Sequence, residues 1–119
     1  MTTNMIQMSQ RLRVKVAAQY KGIYNGLKGH AVSDFHELFF ICVCLGKQNG
    51  RREPLKKTVD TFWSSTILPD EWCTYYAIFL SDNNMDLASL YSDEAVLALV
   101  QEYANGGMAY LIDGFLCDY

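Results

Sequence analysis

The chain has 119 residues, half of them apolar and only 19% charged. That is the size of one domain spanning 1–119, with enough apolar material for a packed core, which excludes global disorder. The net charge of −3 conceals a strong polarity. Residues 1–57 hold all ten Lys and Arg against three acids (Asp34, Glu37 and Glu53), whereas 58–119 hold ten acids and no Lys or Arg, so the halves stand at +7 and −10.

Two readings of this polarity are open: the halves neutralise each other at a seam, or the protein has one face for anions and one for a basic partner. A charged fraction below the roughly 25% usual for soluble domains leaves apolar groups facing outward, as in a subunit that buries surface against another protein.

In chain order, Arg11-Leu12-Arg13-Val14-Lys15-Val16 alternates basic and apolar residues, the pattern of a half-buried strand. Leu12, Val16, Tyr20, Ile23 and Leu27 also recur at helical spacing, so the expectation is a short strand at 11–15 and a helix from about Ala17 to Leu27, ended by Gly29. Asp34 with Glu37 three residues on, or Ser33, caps a helix over Phe35–Leu45 that is apolar nearly all round and belongs at the centre of the fold. Gly46 is expected to stop it. Lys47 to Lys57 is a basic loop with an Asn49-Gly50 turn and a Pro54 breaker.

Thr58 to Ile67 reads as a loop or a short extended stretch. Pro69 opens a helix to about Leu80, with Asp70 and Glu71 in its first turn. Residues 81–84 end it, and Asp86–Tyr91 forms a short helical turn. Ser92 caps the last helix. Asn105-Gly106-Gly107 resembles a stop, yet Leu97, Val100, Ala104, Met108, Leu111 and Phe115 keep one apolar phase across it. The phase predicts a single helix over 93–116, with the glycines admitting a close neighbour to offset roughly 1 kcal/mol each. The fold class is therefore mostly α, a compact domain of four to five helices with a short N-terminal strand.

Met1-Thr2-Thr3-Asn4 lacks the basic and apolar regions of a signal peptide, and the longest apolar run, Leu38–Leu45, is too short to span a membrane. A cytoplasmic protein with no membrane contact is the expectation. Cys42, Cys44, Cys73 and Cys117 should then be reduced core residues. They form no C-x-x-C pair, and neither His30 nor His36 has ligand-spaced companions, so no metal or other cofactor is expected.

Ser64-Ser65-Thr66 has no nearby base, and Gly46–Gly50 lacks the strand and the G-K-[ST] ending of a phosphate loop. No acid pair stands out either, so an enzyme is not expected. The candidate phosphate-binding residues are Lys47, Arg51, Arg52, Lys56 and Lys57, which would grip DNA through its backbone without reading sequence; the plainer reading is a solvated or internally paired loop. Trp63, in a polar neighbourhood, is the candidate partner anchor. Asp93, Glu94 and Glu102 are candidate acidic interface residues.

The run Asp34-Phe35-His36-Glu37-Leu38-Phe39-Phe40, with Leu45-Gly46-Lys47 and Gly50-Arg51-Arg52-Glu53-Pro54-Leu55, resembles the central motif of small proteins encoded beside bacterial DNA-phosphorothioation (Dnd) defence systems. Glu102-Tyr103-Ala104-Asn105-Gly106-Gly107-Met108 and Phe115-Leu116-Cys117-Asp118-Tyr119 are similar too. The resemblance covers residues 11–119 and implies a role in defence against foreign DNA; it supplies no catalytic residues. The expectation is an accessory, non-enzymatic adaptor of an anti-phage complex, bound to a larger ATPase or nuclease. The alternatives are a DNA-backbone-binding module, an acidic DNA mimic, or a homo-oligomer built from oppositely charged surfaces.

Overall fold

The computed structural model describes residues 11–90 and 92–115. The chain is mostly helical, with a two-stranded antiparallel sheet. β1 (Arg13–Ala17) is followed by a 3-10 turn (Ala18–Tyr20), α1 (Lys21–Leu27) and α2 (Phe35–Gln48). Then come β2 (Thr58–Trp63), a 3-10 turn at Ser64–Thr66, α3 (Pro69–Asp82), a 3-10 turn at Leu87–Ser89 and α4 (Asp93–Gly114).

The strand lies two residues later than 11–15. It pairs Arg13 with Trp63 and Ala17 with Thr58, with an irregularity after Val14. Val14 and Val16 are buried while Lys15 is exposed, as the alternation demands. Ser64 fixes its start, accepting the Leu12 N–H on Oγ at 2.8 Å and donating its own N–H to the Leu12 carbonyl at 2.7 Å. The extended stretch predicted as one option for 58–67 is thus a real strand, made so by pairing with residues more than forty positions away.

The helix expected over 17–27 is shorter: Ala17 belongs to β1, and α1 begins only at Lys21. In α2, Glu37 Oε1 accepts the N–H groups of Ser33 and Asp34 at 2.8 and 3.1 Å, the back-bonding half of a capping box at an Asp34 N-cap. α2 does not stop at Gly46 but continues through it to Gln48. Gly46 is an interior contact: a methyl there would strike the Tyr103 carbonyl on α4. α2 is central on one side only, because Leu38, Phe39, Cys42 and Val43 are buried while Ile41 is exposed.

α4 is one helix through both glycines, as the apolar phase predicts, and its described end is Gly114; residue 116 lies outside the described residues. A methyl on Gly106 would meet the Arg51 carbonyl, and one on Gly107 the Cys42 carbonyl. Gly46 and Gly107 let the backbones of α2 and α4 approach more closely than any side chain permits, and Gly106 does the same for the loop at Arg51, which is the reason all three stand in helices at all. Around this seam pack Val96, Leu97, Val100, Tyr103, Ala104 and Met108 of α4. Phe39 makes edge contacts with Phe62 and Tyr75, at ring separations of 5.4 and 6.0 Å, which join the sheet and α3 to the core.

Candidate functional site

The basic loop is folded down onto α4. Arg51 N–H donates to the Gly46 carbonyl at 2.8 Å, Glu53 N–H to the Glu102 carbonyl at 3.1 Å, and Asn105 Nδ2 to the carbonyls of Glu53 and Pro54 at 3.2 and 3.1 Å. This brings three of the five candidate phosphate-binding residues against carboxylates of the other half. Lys47 Nζ donates to Asp82 at 2.8 Å. Arg52 Nε donates to Glu102 at 2.6 Å, and its guanidinium lies 3.9 Å from Asp82. Arg51 lies 3.4 Å from both Glu53 and Asp113. Arg13 stands 3.6 Å from Asp60, a fourth cation paired with the acidic half.

Asp82, the last residue of α3, is the hub of this cluster, for it also accepts the Tyr103 hydroxyl at 2.5 Å. Burial pushes its carboxyl up, but the bonds from Lys47 and Tyr103 outweigh that and hold it below the ordinary carboxylate value. The same bond raises Lys47, and Glu102 raises Arg52. Asp82 and Tyr103 escape sequence reading because both look like ordinary helix residues; only the fold places them beside Lys47. Lys56 and Lys57 have no ion pair among the described residues and flank a separate cleft with Ala17, Gln19 and Asn105.

Beside the hub runs a groove of about 270 Å³ with Phe79, Ala95, Ala98 and Leu99 along it and Arg52, Asp82, Asn83 and Glu102 at its rim. Asn83 at that rim is the first residue of the α3–α4 loop. Met85 N–H donates to the Leu80 carbonyl at 2.7 Å, the 6→1 bond of a Schellman stop in which Asn84 takes the left-handed position. Met85 is left-handed as well, at φ 61°. A second consecutive non-glycine residue in that region is strained. Asp86 then ties the loop down, accepting the Ala88 N–H at 3.0 Å and, through its carbonyl, the Ser89 hydroxyl at 2.6 Å. The outcome is an ordered loop that holds Met85 67% and Leu87 73% exposed.

The four predicted partner residues do not converge. Trp63 is partly exposed on the sheet, with the guanidinium groups of Arg11 and Arg13 at 4.3 and 4.5 Å from its ring centre. Asp93 accepts the Tyr76 hydroxyl at 2.9 Å. Glu94 is exposed and lines a second groove with Arg13, Lys15, Asp60 and Gln101. Glu102 is in the Asp82 cluster.

The cysteines do not all join the core. Cys42 is buried and its thiol is pushed up to about 12 by burial, Cys44 is half-buried, and Cys73 is exposed on α3; Cys117 lies outside the described residues. His36, which has no ligand-spaced companion in the sequence, meets two carboxylates in the fold: its Nδ1 lies 3.0 and 3.2 Å from the two oxygens of the buried Glu71, and its Nε2 lies 3.8 Å from Asp34. Glu71 also accepts the Leu68 N–H at 2.9 Å, so this pair fastens α2 to the start of α3. No group of three or more His, Cys, Asp or Glu among the described residues is placed to hold a metal ion, and no helix among them is long and apolar enough to cross a membrane.

Comparison with known proteins finds no matching family model, curated protein or solved structure.

Proposed function

We propose that the chain is a non-enzymatic adaptor that works by protein–protein contact, and that the α3–α4 loop with its adjoining groove is where it engages a larger protein. The observation that carries this is the strained, hydrogen-bonded loop holding Met85 and Leu87 in solvent, which leaves α3 at Asn83 on the rim of a groove of mixed apolar and charged lining. Two large apolar side chains held outward at the expense of backbone strain gain nothing for the isolated molecule, whereas a preordered apolar knob beside a groove loses little entropy on binding. The resemblance to Dnd-associated proteins supplies the proposed setting, a cytoplasmic bacterial defence complex whose larger member is an ATPase or nuclease.

The internal pairing of Lys47, Arg51 and Arg52 weighs against the basic loop as the primary DNA contact, since a phosphate would have to displace Asp82, Glu102 and Asp113. The test is affinity purification from cells that naturally make the protein. Wild type should co-purify with a stoichiometric larger protein, and Met85→Asp/Leu87→Asp should lose it while keeping the wild-type helical spectrum. Recovery of the wild-type chain alone, or undiminished capture by the double variant, overturns the reading.

A further inference from the structure

On the sheet side of the molecule four cations gather on aromatic rings. Arg11 and Arg13 cover Trp63. The amines of Lys21 and Lys28, at either end of α1, stand 4.3 and 4.5 Å from the centre of one ring, that of Phe35. Partial burial first, then the charges of Arg13 and Lys28, lower the basicity of Lys21. Beside Phe35 and Lys28 lies a cleft of about 250 Å³, lined as well by Phe62, His36, Thr66 and the carboxylate of Asp34. Thr66 also donates its hydroxyl to the Trp63 carbonyl at 2.8 Å, which fixes the Trp63 segment against the cleft.

Among the described residues only Arg13 of these four cations has a carboxylate within 4 Å, namely Asp60. Such crowding of like charge is unfavourable in the free molecule and is relieved by a polyanion. The packing of the acidic half on the basic half engages Lys47, Arg51 and Arg52 and, of this group, Arg13 alone, so Arg11, Lys21 and Lys28 keep their charge unpaired among the described residues.

We propose that the surface formed by Arg11, Arg13, Lys21, Lys28, Phe35 and Trp63 is a binding site for single-stranded nucleic acid. Its cations take up phosphates, and an unpaired base enters the cleft beside Phe35. The combination of a partly aromatic cleft, hydrogen-bonding groups and neighbouring cations matches a base with its phosphate. A duplex keeps its bases stacked and can offer only its backbone. An acidic protein segment would use the cations and leave the aromatic cleft unfilled. The site is on different elements from the α3–α4 loop and stands or falls independently of the adaptor reading.

The experiment is fluorescence anisotropy of the full chain with a labelled oligothymidine of about 12 nucleotides, the matching duplex, and a Glu-rich peptide of similar length. The single strand should bind tightest. Four phosphate contacts would make its affinity fall about 50-fold between roughly 50 and 200 mM salt. Lys21→Ala/Lys28→Ala should weaken binding at least about tenfold and reduce the salt slope by about 1.4, with an unchanged thermal melt.

Equal or tighter binding of the duplex overturns the proposal, as does no binding of the single strand at low salt. Tighter binding of the peptide assigns the face to an acidic protein instead. Loss of binding in Lys56→Ala/Lys57→Ala, with the Lys21/Lys28 variant unaffected, moves the contact to the basic loop and also overturns it.

Discussion

Met85 is the side chain at which stability and the proposed role separate. Its left-handed backbone would suit glycine, and its thioether is mostly in solvent, so little packing is lost on removing it. Met85→Gly is expected to raise stability by about 1 kcal/mol in urea denaturation, the strain relieved exceeding the added freedom of the unfolded chain. The same change should weaken capture of the partner. A variant that is no more stable than wild type would mean that the loop is unstrained and that its outward Met85 carries no message. Asn84, also left-handed, is no such signal, since asparagine tolerates that position at a helix end.

At the scale of elements, the contact of α2 with α4 is where sequence reading succeeded and where it failed. The apolar phase through Gly106 and Gly107 was sufficient to reveal one continuous helix, because periodicity is carried by side chains on both sides of the gap. The partner glycine was misjudged. Gly46 follows eight apolar residues and precedes a lysine, the local signature of a helix end, and only the carbonyl of Tyr103 lying against it explains why the helix runs on. β2 was half legible for a similar reason: Thr58–Trp63 has no strict alternation, and Thr61 faces the irregularity in the pairing.

The physical account yields a matched pair of outcomes. Gly107→Ala drives a methyl into the Cys42 backbone and should cost about 3 kcal/mol or more. Gly22→Ala, in open space on α1, should stabilise by about 0.5–1 kcal/mol. Urea midpoints for the two variants check both signs.

For the whole molecule, the +7 and −10 halves turn out to be sewn together by Arg13–Asp60, Lys47–Asp82, Arg51–Asp113 and Arg52–Glu102. The neutralising reading of the polarity holds for these residues, while Arg11, Lys15, Lys21, Lys28, Lys56 and Lys57 have no carboxylate partner among the described residues. Composition showed that the halves were opposite; which cations would be used up depended on the packing of α3 and α4 and could not be read from spacing. The candidate site was legible to the same degree: Lys47, Arg52 and Glu102 were singled out, but for separate roles rather than as one cluster. Met85 and Leu87 were not seen, because a backbone angle leaves no trace in composition.

Acid should open this seam. Asp82 is held below its ordinary 3.8, so its contribution is complete above the usual carboxylate range and is lost as the pH falls through the lower folded-state value. Wild type should therefore lose stability more steeply below about pH 4 than Asp82→Asn, which should already be weaker at neutral pH. Parallel profiles of urea midpoint against pH for the two proteins would count against Asp82 as the hub.

The glycine seam also sets an order of assembly. It joins residues 42–46 to 103–107, a separation of about sixty positions, so the defining contact cannot form until α4 has been made. Until α4 has emerged from the ribosome, the Cys42 and Gly46 face of α2 has no backbone to lie against. A nascent chain stalled before the paired glycines would be a sticky, cation-rich intermediate, and the step from that species to the native protein is the docking of a single rod about 33 Å long.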